Sequence, residues 1–287
     1  MKIVAGVLVL FFSYSCVSAQ EEIVTTFGEG VPIATLSDKG LDEISGLACG
    51  RNLPDLMYVH NDSGGEAAVF LLDSLGENVG KIEFLETKNR DWEDIAIGPG
   101  PNGKSYVYVG EIGDNNAVHD EIVIYRVAEP TQLTSTTRVL PEKRVIKYPG
   151  GARDAESLMV DPISGDIFII SKRDSVNTLY RLAADKFGGG QDELEELIKL
   201  PFTSSTAADI SADGSQILVK NYLAIYYWKR NSGESIAEAM IRKPTELPYS
   251  PEPQGEAIGF LRSGKAYFTL SEKRFDLDPV LYKYSAK

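Results

Sequence analysis

The stretch Asn89-Arg90-Asp91-Trp92-Glu93-Asp94-Ile95-Ala96 introduces a pattern that returns along the chain. In each copy polar or acidic residues are followed by small and branched apolar residues, and the other copies lie at 43–47, 154–158, 206–210 and 254–258. Aligned on one shared position, the copies are anchored at Ser45, Glu93, Glu156, Ala208 and Glu256. The anchor positions differ by 48, 63, 52 and 48, and intervals of this length are typical of β-propeller blades.

The residues after each anchor predict four short strands per repeat. A turn rich in Gly, Pro, Asn or Asp comes first, and second strands are predicted at 56–59, 106–109, 167–170, 216–219 and 266–269. In four repeats the third strand carries an aromatic residue followed by a base, at 125–126, 180–181, 228–229 and 282–283. Fourth strands are predicted at 78–86, 143–148, 194–200 and about 236–242. Four short antiparallel strands per repeat predict an all-β propeller.

The last repeat lacks a fourth strand, and the N-terminal segment has strands without a blade of its own. The last repeat ends at Lys287 after three strands, whereas the N-terminal segments 23–27 and 31–36 are strand-like but have no anchor. Pairing the two would complete the last blade and leave no open sheet edge, with Pro32 on an outer strand. We therefore expect a single domain over residues 20–287, with five four-stranded blades closed by the N-terminal strand. Six blades are the alternative, if the long repeat between Glu93 and Glu156 contains an extra piece.

Residues 1–19 have the features of a secretory signal peptide. Lys2 precedes an apolar run over residues 3–12, and small residues at 17–19 predict cleavage after Ala19. About ten apolar residues are too few to cross a bilayer, which needs roughly 20. A lipid anchor at Cys16 is an alternative, although residues 13–15 match the approach to such a site poorly. We expect a secreted or periplasmic protein without a membrane span.

Composition restricts the partners. The formal net charge is −13, and loss of Lys2 with the signal peptide would make it −14. This acidity argues against nucleic acid or an anionic membrane, because binding to phosphates needs clustered Lys and Arg. Cys49 alone follows the signal peptide, so no intrachain disulfide can form in the mature chain. Secreted animal proteins of this size more often carry disulfides, which favours a bacterial origin, and we expect a monomer.

Strand direction predicts which residues converge. The innermost strand of a blade begins where the antiparallel second strand ends, so both lie at one end of the central channel, here called the channel mouth. Glu93, Glu156 and Glu256 are expected there, with Ser45 and Ala208 as their counterparts in the other blades. The second-strand exits that complete this face are 60–62, 111–115, 172–174, 220–221 and 272–274.

Three arrangements of these charges are open. Glutamates around a narrow axis repel one another, so either cations compensate them or their pKa values rise. A hard cation such as Ca²⁺ takes about six to eight oxygen ligands. The candidate ligands are Glu93, Glu156, Glu256, Asp62, Asp114 and the amides of Asn61, Asn115 and Asn221. A structural salt-bridge network would instead use Lys172, Arg173, Lys220 and Lys273. Acid–base catalysis without a metal is the third arrangement.

The repeated Asp-x-Glu and Gly-Glu-Ala-Ile anchors resemble those of phytase-like and gluconolactonase-like propellers. The resemblance covers most of the mature chain in architecture and a few residues per blade in sequence. It implies a propeller in which acidic and amide side chains hold calcium or another divalent ion in the channel. The stretch 89–96 together with 110–115 also looks like a widespread, uncharacterised type of secreted bacterial propeller.

Other motifs narrow the chemistry. Residues 98–103 match G-x-G-x-x-G, but prolines between two strands make this segment a hairpin turn. The chain has no G-x-S-x-G motif, and two histidines, His60 and His119, do not suffice for a zinc site. His60 is either a general base beside Asp62 or a surface or strand-end residue.

Two functions fit the channel mouth. One is a divalent-metal-dependent hydrolase of a small ester, lactone or phosphate, with the anchor glutamates as ligands. The other is a non-catalytic propeller that binds a protein or glycan on the same face. Because propellers host many unrelated functions, the fold alone does not choose between them.

Overall fold

The computed structural model describes residues 26–287, and the signal peptide predicted for residues 1–19 lies outside them. The described chain forms 21 strands in five sheets arranged as a ring around a central channel. The innermost strand of each blade is buried along nearly all of its length, because blades flank it on both sides. This explains why the anchors run directly into continuous apolar sequence.

The strands follow one another through the blades in chain order. The first blade contains β2 (Ile44–Cys49), β3 (Met57–Asn61), β4 (Ala68–Leu72) and β5 (Asn78–Phe84). The second contains β6 (Trp92–Pro99), β7 (Ser105–Glu111), β8 (Ile122–Ala128) and β10 (Glu142–Ile146). The third contains β11 (Ala155–Val160), β12 (Ile167–Ser171), β13 (Thr178–Leu182) and β14 (Glu195–Lys199). The fourth contains β15 (Ser205–Ile210), β16 (Gln216–Asn221), β17 (Ile225–Lys229) and β18 (Thr245–Leu247). The predicted all-β propeller is confirmed.

The fifth blade joins the two ends of the chain. It contains β19 (Gly255–Phe260), β20 (Ala266–Ser271), β21 (Val280–Ser285) and, as its outer strand, β1 (Val31–Thr35). β1 pairs antiparallel with β21, and Phe27 forms a further bridge with Ala286. Pro32 lies in this outer strand, where the proline's missing N–H does not interrupt the hydrogen bonds between the inner strands of the blade. The predicted closure by the N-terminal strand is confirmed.

The long repeat between Glu93 and Glu156 does not contain an extra blade, so the six-bladed alternative is wrong. The additional residues lie between β8 and β10 and include β9 (Thr136–Val139). β9 pairs in parallel with β5 and becomes the fifth, outermost strand of the first blade. The insertion therefore covers the edge of the neighbouring blade, which would otherwise expose unpaired backbone groups.

The fourth strand predicted at about 236–242 is also wrong. This segment contains the helix α1 (Ile236–Met240), and the fourth strand follows it as β18. Ser235 caps the helix: its hydroxyl accepts from the N–H of Glu238, whose carboxylate accepts from the N–H of Ser235. This capping box stabilises a helix start. Ile236, Ala239 and Met240 are buried, which is the spacing of a helical face.

The hydrophobic core is divided among the contacts between blades. Each of the five clusters of buried apolar side chains in the described chain joins two neighbouring blades, and one of them joins the fifth blade to the first. Every blade is therefore held on both sides. Among residues 26–287, none of the helices has the length and apolar composition needed to cross a membrane.

Candidate functional site

The same β-bulge occurs at the start of all five innermost strands. In each strand the second residue has no pairing partner in the register with the second strand, and these residues are Ser45, Glu93, Glu156, Thr206 and Glu256. Bulges of this kind redirect a side chain at the end of a strand. In the fourth blade the residue equivalent to the anchor glutamates is thus Thr206 and not the predicted Ala208, which lies two positions further along the chain. With Thr206 as the anchor, the last two intervals of the repeat become equal.

Carboxylates gather around Glu93 at the channel mouth. Oxygen atoms of Asp62, Asp91 and Glu93 lie within 4.8 Å of one another, and so do oxygen atoms of Glu93, Asp154 and Glu156. Glu93 belongs to both groups and is the carboxylate that connects them. We call these five residues the acidic cluster.

Glu93 is held closely by its surroundings. Its side chain is buried, and the Ser45 hydroxyl lies 3.4 Å from Glu93 Oε2 while donating to the Glu93 carbonyl at 2.7 Å. A Cβ atom at Gly113 would overlap both Glu93 Oε1 and the Asp91 carboxylate, so only glycine fits there. Within the described chain, no Lys or Arg nitrogen lies within 4.0 Å of a carboxylate oxygen of Glu93, Asp62 or Asp91.

A base lies next to the acidic cluster, beside Glu156. Lys172 Nζ forms an ion pair with Glu156 Oε1 and lies 3.6 Å from Glu256 Oε1. It also donates to the Tyr222 hydroxyl at 2.9 Å, and that hydroxyl in turn donates to Glu256 Oε1. Lys172, Tyr222 and Glu256 come from the third, fourth and fifth blades, so one hydrogen-bonded group spans three blades.

Burial raises the pKa of the anchor carboxyl groups Glu93 and Glu156, and for Glu156 it does so against the charge of Lys172. Burial, followed by the charges of Glu156 and Asp62, raises the pKa of Glu93 well above its usual value. Burial and the Asp91 charge raise the pKa of Asp62 to about 7, and burial also raises the pKa of Asp91. Burial alone would lower the pKa of Lys172, but Glu156 and Glu256 outweigh it and raise that pKa. Lys172 therefore stays charged, whereas the acidic cluster around Glu93 is stabilised either by protonation of its carboxylates or by a bound cation.

A further carboxyl group lies beside Glu256. Burial, followed by the Glu256 charge and a hydrogen bond to Glu256, raises the pKa of Glu272 to about 8. Glu272 therefore holds a proton at neutral pH, because two closely spaced carboxyl groups resist ionising together.

The structure distributes the predicted ligands unevenly. Asp62, Glu93 and Glu156 belong to the acidic cluster, whereas Glu256 contacts Lys172 and Tyr222. Asp114 faces its own loop, where its carboxylate accepts from the N–H of His119 at 2.6 Å. Although burial opposes it, that hydrogen bond and one from the Val118 N–H lower the pKa of Asp114.

The predicted bases and amides have several different partners. Lys172 pairs with the anchor glutamates, but Arg173 pairs with Asp154, Lys220 lies 3.9 Å from Glu252, and Lys273 pairs with Asp278. The Asn115 carboxamide accepts from Arg173, and the Asn221 carboxamide accepts from the backbone of its own turn. Asn61 donates to the Gly40 carbonyl, and its Oδ1 is buried without a hydrogen-bond partner among the described residues.

Four site residues were not singled out from the sequence: Asp91, Asp154, Tyr222 and Glu272. Asp91 and Asp154 each lie two positions before an anchor glutamate, so the Asp-x-Glu spacing carried a usable signal. Tyr222 and Glu272 lie at second-strand exits and have no distinguishing motif.

His60 and Asp94 belong to the scaffold. His60 is fully buried against Trp92, with ring centroids 5.8 Å apart, and burial lowers the pKa of His60 to about 4. It is therefore a buried neutral side chain and not a surface histidine. Asp94 Oδ2 accepts from the N–H groups of Leu158 at 2.8 Å and Ala208 at 3.2 Å, which links the second blade to the third and fourth.

Comparison with known proteins extends the description of the fold. No protein-family model matches the chain, and no curated protein matches it. Among solved structures, the PQQ-bound form of aldose sugar dehydrogenase from Streptomyces coelicolor is similar, with a TM-score of 0.53, 11% identity, and coverage of 90% of this chain and 97% of that chain. A chain in the nidogen/laminin complex has a TM-score of 0.48 and 14% identity, over 79% of this chain and 72% of that chain. Because its sequence identity is so low, the similarity to the dehydrogenase shows the propeller fold alone.

Proposed function

We propose that this chain is an exported hydrolase of a small ester, lactone or phosphate that depends on Ca²⁺ or another divalent cation bound by the acidic cluster. The observation that carries the proposal is the position of Glu93. Its carboxylate is buried within the two groups of carboxylates and has no ion pair with a base of the described chain, and the charge of Lys172 offsets only part of the rise in its pKa. Burying a carboxylate without a partner is costly, so a cation would stabilise this arrangement.

The donor set fits a hard cation. All five candidate donors are carboxylates, which suit Ca²⁺, Mg²⁺ or Mn²⁺ better than softer metals. Oxygens on opposite sides of one Ca²⁺ lie about 4.6–5.2 Å apart, twice the Ca–O distance of roughly 2.3–2.6 Å. The oxygens of each group all lie within 4.8 Å of one another, which is close enough for a single cation to contact all three carboxylates of a group. We therefore assign Glu93 as the shared ligand, with Asp62 and Asp91 on one side and Glu156 and Asp154 on the other.

Asp154 and Glu156 have fewer oxygen atoms available to a cation than Asp62, Asp91 and Glu93 have. Arg173 Nε lies 2.7 Å from Asp154 Oδ2, and Lys172 engages Glu156 Oε1. Glu156 Oε2 is nevertheless buried without a hydrogen-bond partner in the described chain. It remains available as a ligand atom while Oε1 is held by the lysine.

Lys172 and Tyr222 supply the other half of the site. A charged Lys172 places a positive charge beside the cluster, which would stabilise negative charge on a nearby substrate oxygen, while its N–H groups stay directed at Glu156, Glu256 and Tyr222. Burial and the Glu256 charge raise the pKa of Tyr222, so its hydroxyl remains a proton donor. A bound cation would supply Lewis-acid polarisation of the same substrate oxygen. Tyr222 would remain neutral and act as a hydrogen-bonding group at the edge of the site, where its hydroxyl already donates to Glu256.

The second candidate function, a non-catalytic propeller that binds a protein or glycan, is favoured by a different observation. The loops that follow the second strands end at the channel mouth and expose large apolar side chains. Val118, Leu223, Phe275 and Leu277 are 67%, 77%, 81% and 57% exposed. These side chains lie on loops at one end of the propeller, where loops held by a rigid scaffold commonly bind partners.

Turnover measurements separate the two functions. The chain would be assayed against a panel of small esters, lactones and phosphate esters, with Ca²⁺ or with chelator. We expect turnover that chelator abolishes and that Glu93→Gln also abolishes. Glu121→Gln is the matched control, because this glutamate lies on a loop of the same face but is exposed. No turnover, combined with cation binding that Glu93→Gln removes, would favour the binding propeller. No effect of cation on the protein at all would refute the cation centre.

A further inference from the structure

A cavity of about 380 Å³ lies near the contact between the first and second blades. Its walls include Lys88 and Arg90 from the segment joining β5 to β6, Glu111 at the end of β7, Tyr125 in β8 and Lys143 in β10. We call it the Arg90 cavity. Arg90 also lines an adjoining cavity of about 380 Å³ together with His119 and Lys147. Small-molecule sites have volumes of roughly 300–1,000 Å³, so either cavity can hold a small ligand.

Arg90 has no hydrogen-bond acceptor for most of its guanidinium group. Nε and Nη2 are buried and donate no hydrogen bond within the described chain. The nearest carboxylate contact is Glu111 Oε1, 3.8 Å from Nε, which is too long for a hydrogen bond. The Arg90 side chain as a whole is nevertheless 34% exposed, so a ligand can contact its exposed part, and a shift of the side chain would bring the buried Nε and Nη2 within reach.

Other arginines at the same end of the propeller differ from Arg90. Arg153 Nη1 donates to Asp174 at 3.0 Å, and Arg173 Nε lies 2.7 Å from Asp154. Both have a carboxylate within hydrogen-bond distance, which Arg90 lacks, although Arg153 Nε is also buried without a hydrogen-bond partner in the described chain. A guanidinium with unused N–H groups beside a cavity is a ready partner for an anion, because it can bind two oxygens at once.

The lysines around Arg90 point to the same ligand chemistry. Lys88 and Lys143 are exposed side chains on the cavity wall, and Lys147 lines the adjoining cavity. Glu111 and Glu86 oppose them, so the Arg90 cavity has three bases and two acids. The bases thus outnumber the acids by one in the Arg90 cavity, whereas the adjoining cavity also contains Asp120 and Glu121, whose Oε1 lies 3.8 Å from Lys147 Nζ.

We propose that the Arg90 cavity binds an oxyanion, the phosphate or carboxylate group of a small molecule, with Arg90 as the main contact. Lys88 and Lys143 add charge, and Glu111 competes with the ligand for the guanidinium. No member of the acidic cluster lines the Arg90 cavity, although Arg90 adjoins Asp91 and its charge opposes the rise that burial causes in the pKa of that carboxyl group, and the proposed anion binding requires no cation. It therefore goes beyond the proposed hydrolase and holds whether or not the chain has turnover.

Calorimetric titration with inorganic phosphate and with acetate tests the proposal. Both titrations would contain chelator, so that an anion cannot bind through a cation at the channel mouth. We expect at least one anion to bind the full chain, and the better of the two identifies the source of the oxyanion. Arg90→Gln should weaken binding by about tenfold or more, the loss expected for a charge-assisted bidentate contact.

Two variants control for effects on folding. Arg138→Gln removes an exposed arginine that already pairs with Glu83, and it should leave binding unchanged. Glu111→Gln removes the competing charge and should tighten binding, which loss of structure would not produce. Failure of both anions to bind the wild-type chain overturns the proposal. Equal affinity in the wild-type chain and in Arg90→Gln also overturns it.

Discussion

Glu93→Gln should change the melting temperature in opposite directions with and without a divalent cation. Without a cation, the amide removes one member of a group of crowded carboxylates and should stabilise the protein. With Ca²⁺ bound, the same change removes the ligand shared by both halves of the acidic cluster and should destabilise it. A purely structural Glu93 would give one sign under both conditions.

The structure sets the size of both effects. The carboxylate oxygens of each group lie within 4.8 Å of one another, so two ionised groups repel by roughly 3 kcal/mol or more at an effective dielectric constant of about 20. Protonation relieves part of this repulsion, which is why the pKa of Glu93 is raised. A cation at about a hundred times its dissociation constant stabilises the native state by roughly 2.7 kcal/mol. For a domain of this size each kcal/mol shifts the melting temperature by about 2–4 °C, so Ca²⁺ should raise it by roughly 5–11 °C.

The cation effect should also depend on pH. The folded pKa of Asp62 is raised from 3.8 to about 7, so its contribution to stability is fully present below about pH 4 and is lost as pH rises through about 7. Protons and the cation compete for the same carboxylates. The stabilisation by Ca²⁺ should therefore be small at pH 5 and larger at pH 8.

Melting curves of wild type, Glu93→Gln and the control Glu121→Gln measure these effects. Each protein would be followed by circular dichroism at pH 5 and pH 8, with Ca²⁺ and with chelator. An unchanged wild-type curve on adding Ca²⁺ at pH 8 would refute the cation centre. So would a Glu93→Gln protein that keeps the full Ca²⁺ shift.

Two further predictions concern the scaffold. Deleting residues 20–38 should destabilise the whole domain, and replacing the buried Phe27 by alanine should lower the free energy of unfolding by about 3–5 kcal/mol. Denaturant unfolding measures both effects, with Ile33→Ala on the exposed face of β1 as the control. An unchanged unfolding transition would contradict closure by the N-terminal strand. Asp94→Ala should lower the free energy of unfolding by roughly 3 kcal/mol or more, because buried N–H groups in the third and fourth blades lose their acceptor. A decrease below about 1 kcal/mol in the same assay would show that Asp94 does not link these blades.

The blade pattern was predictable because it depends on short-range sequence. The repeat spacing, the turn residues and the runs of buried apolar residues each follow from the geometry of a four-stranded sheet. The helix α1 was missed although its Ser235 and Glu238 capping residues were present, because a short apolar segment fits a strand as well as a helix. β9 was missed because its partner β5 belongs to the preceding repeat, and no local feature specifies a pairing between segments so distant in sequence.

The sequence alone determined that Glu93, Glu156 and Glu256 occupy equivalent places at one end of the channel. It could not determine that they differ in environment. The side chain of Lys172 reaches Glu156 and Glu256, while Asp62 and Asp91 surround Glu93. Only the tertiary structure decided this, because the pKa of a carboxyl group depends on its burial and on charges a few ångströms away, and those are brought together by the packing of different blades.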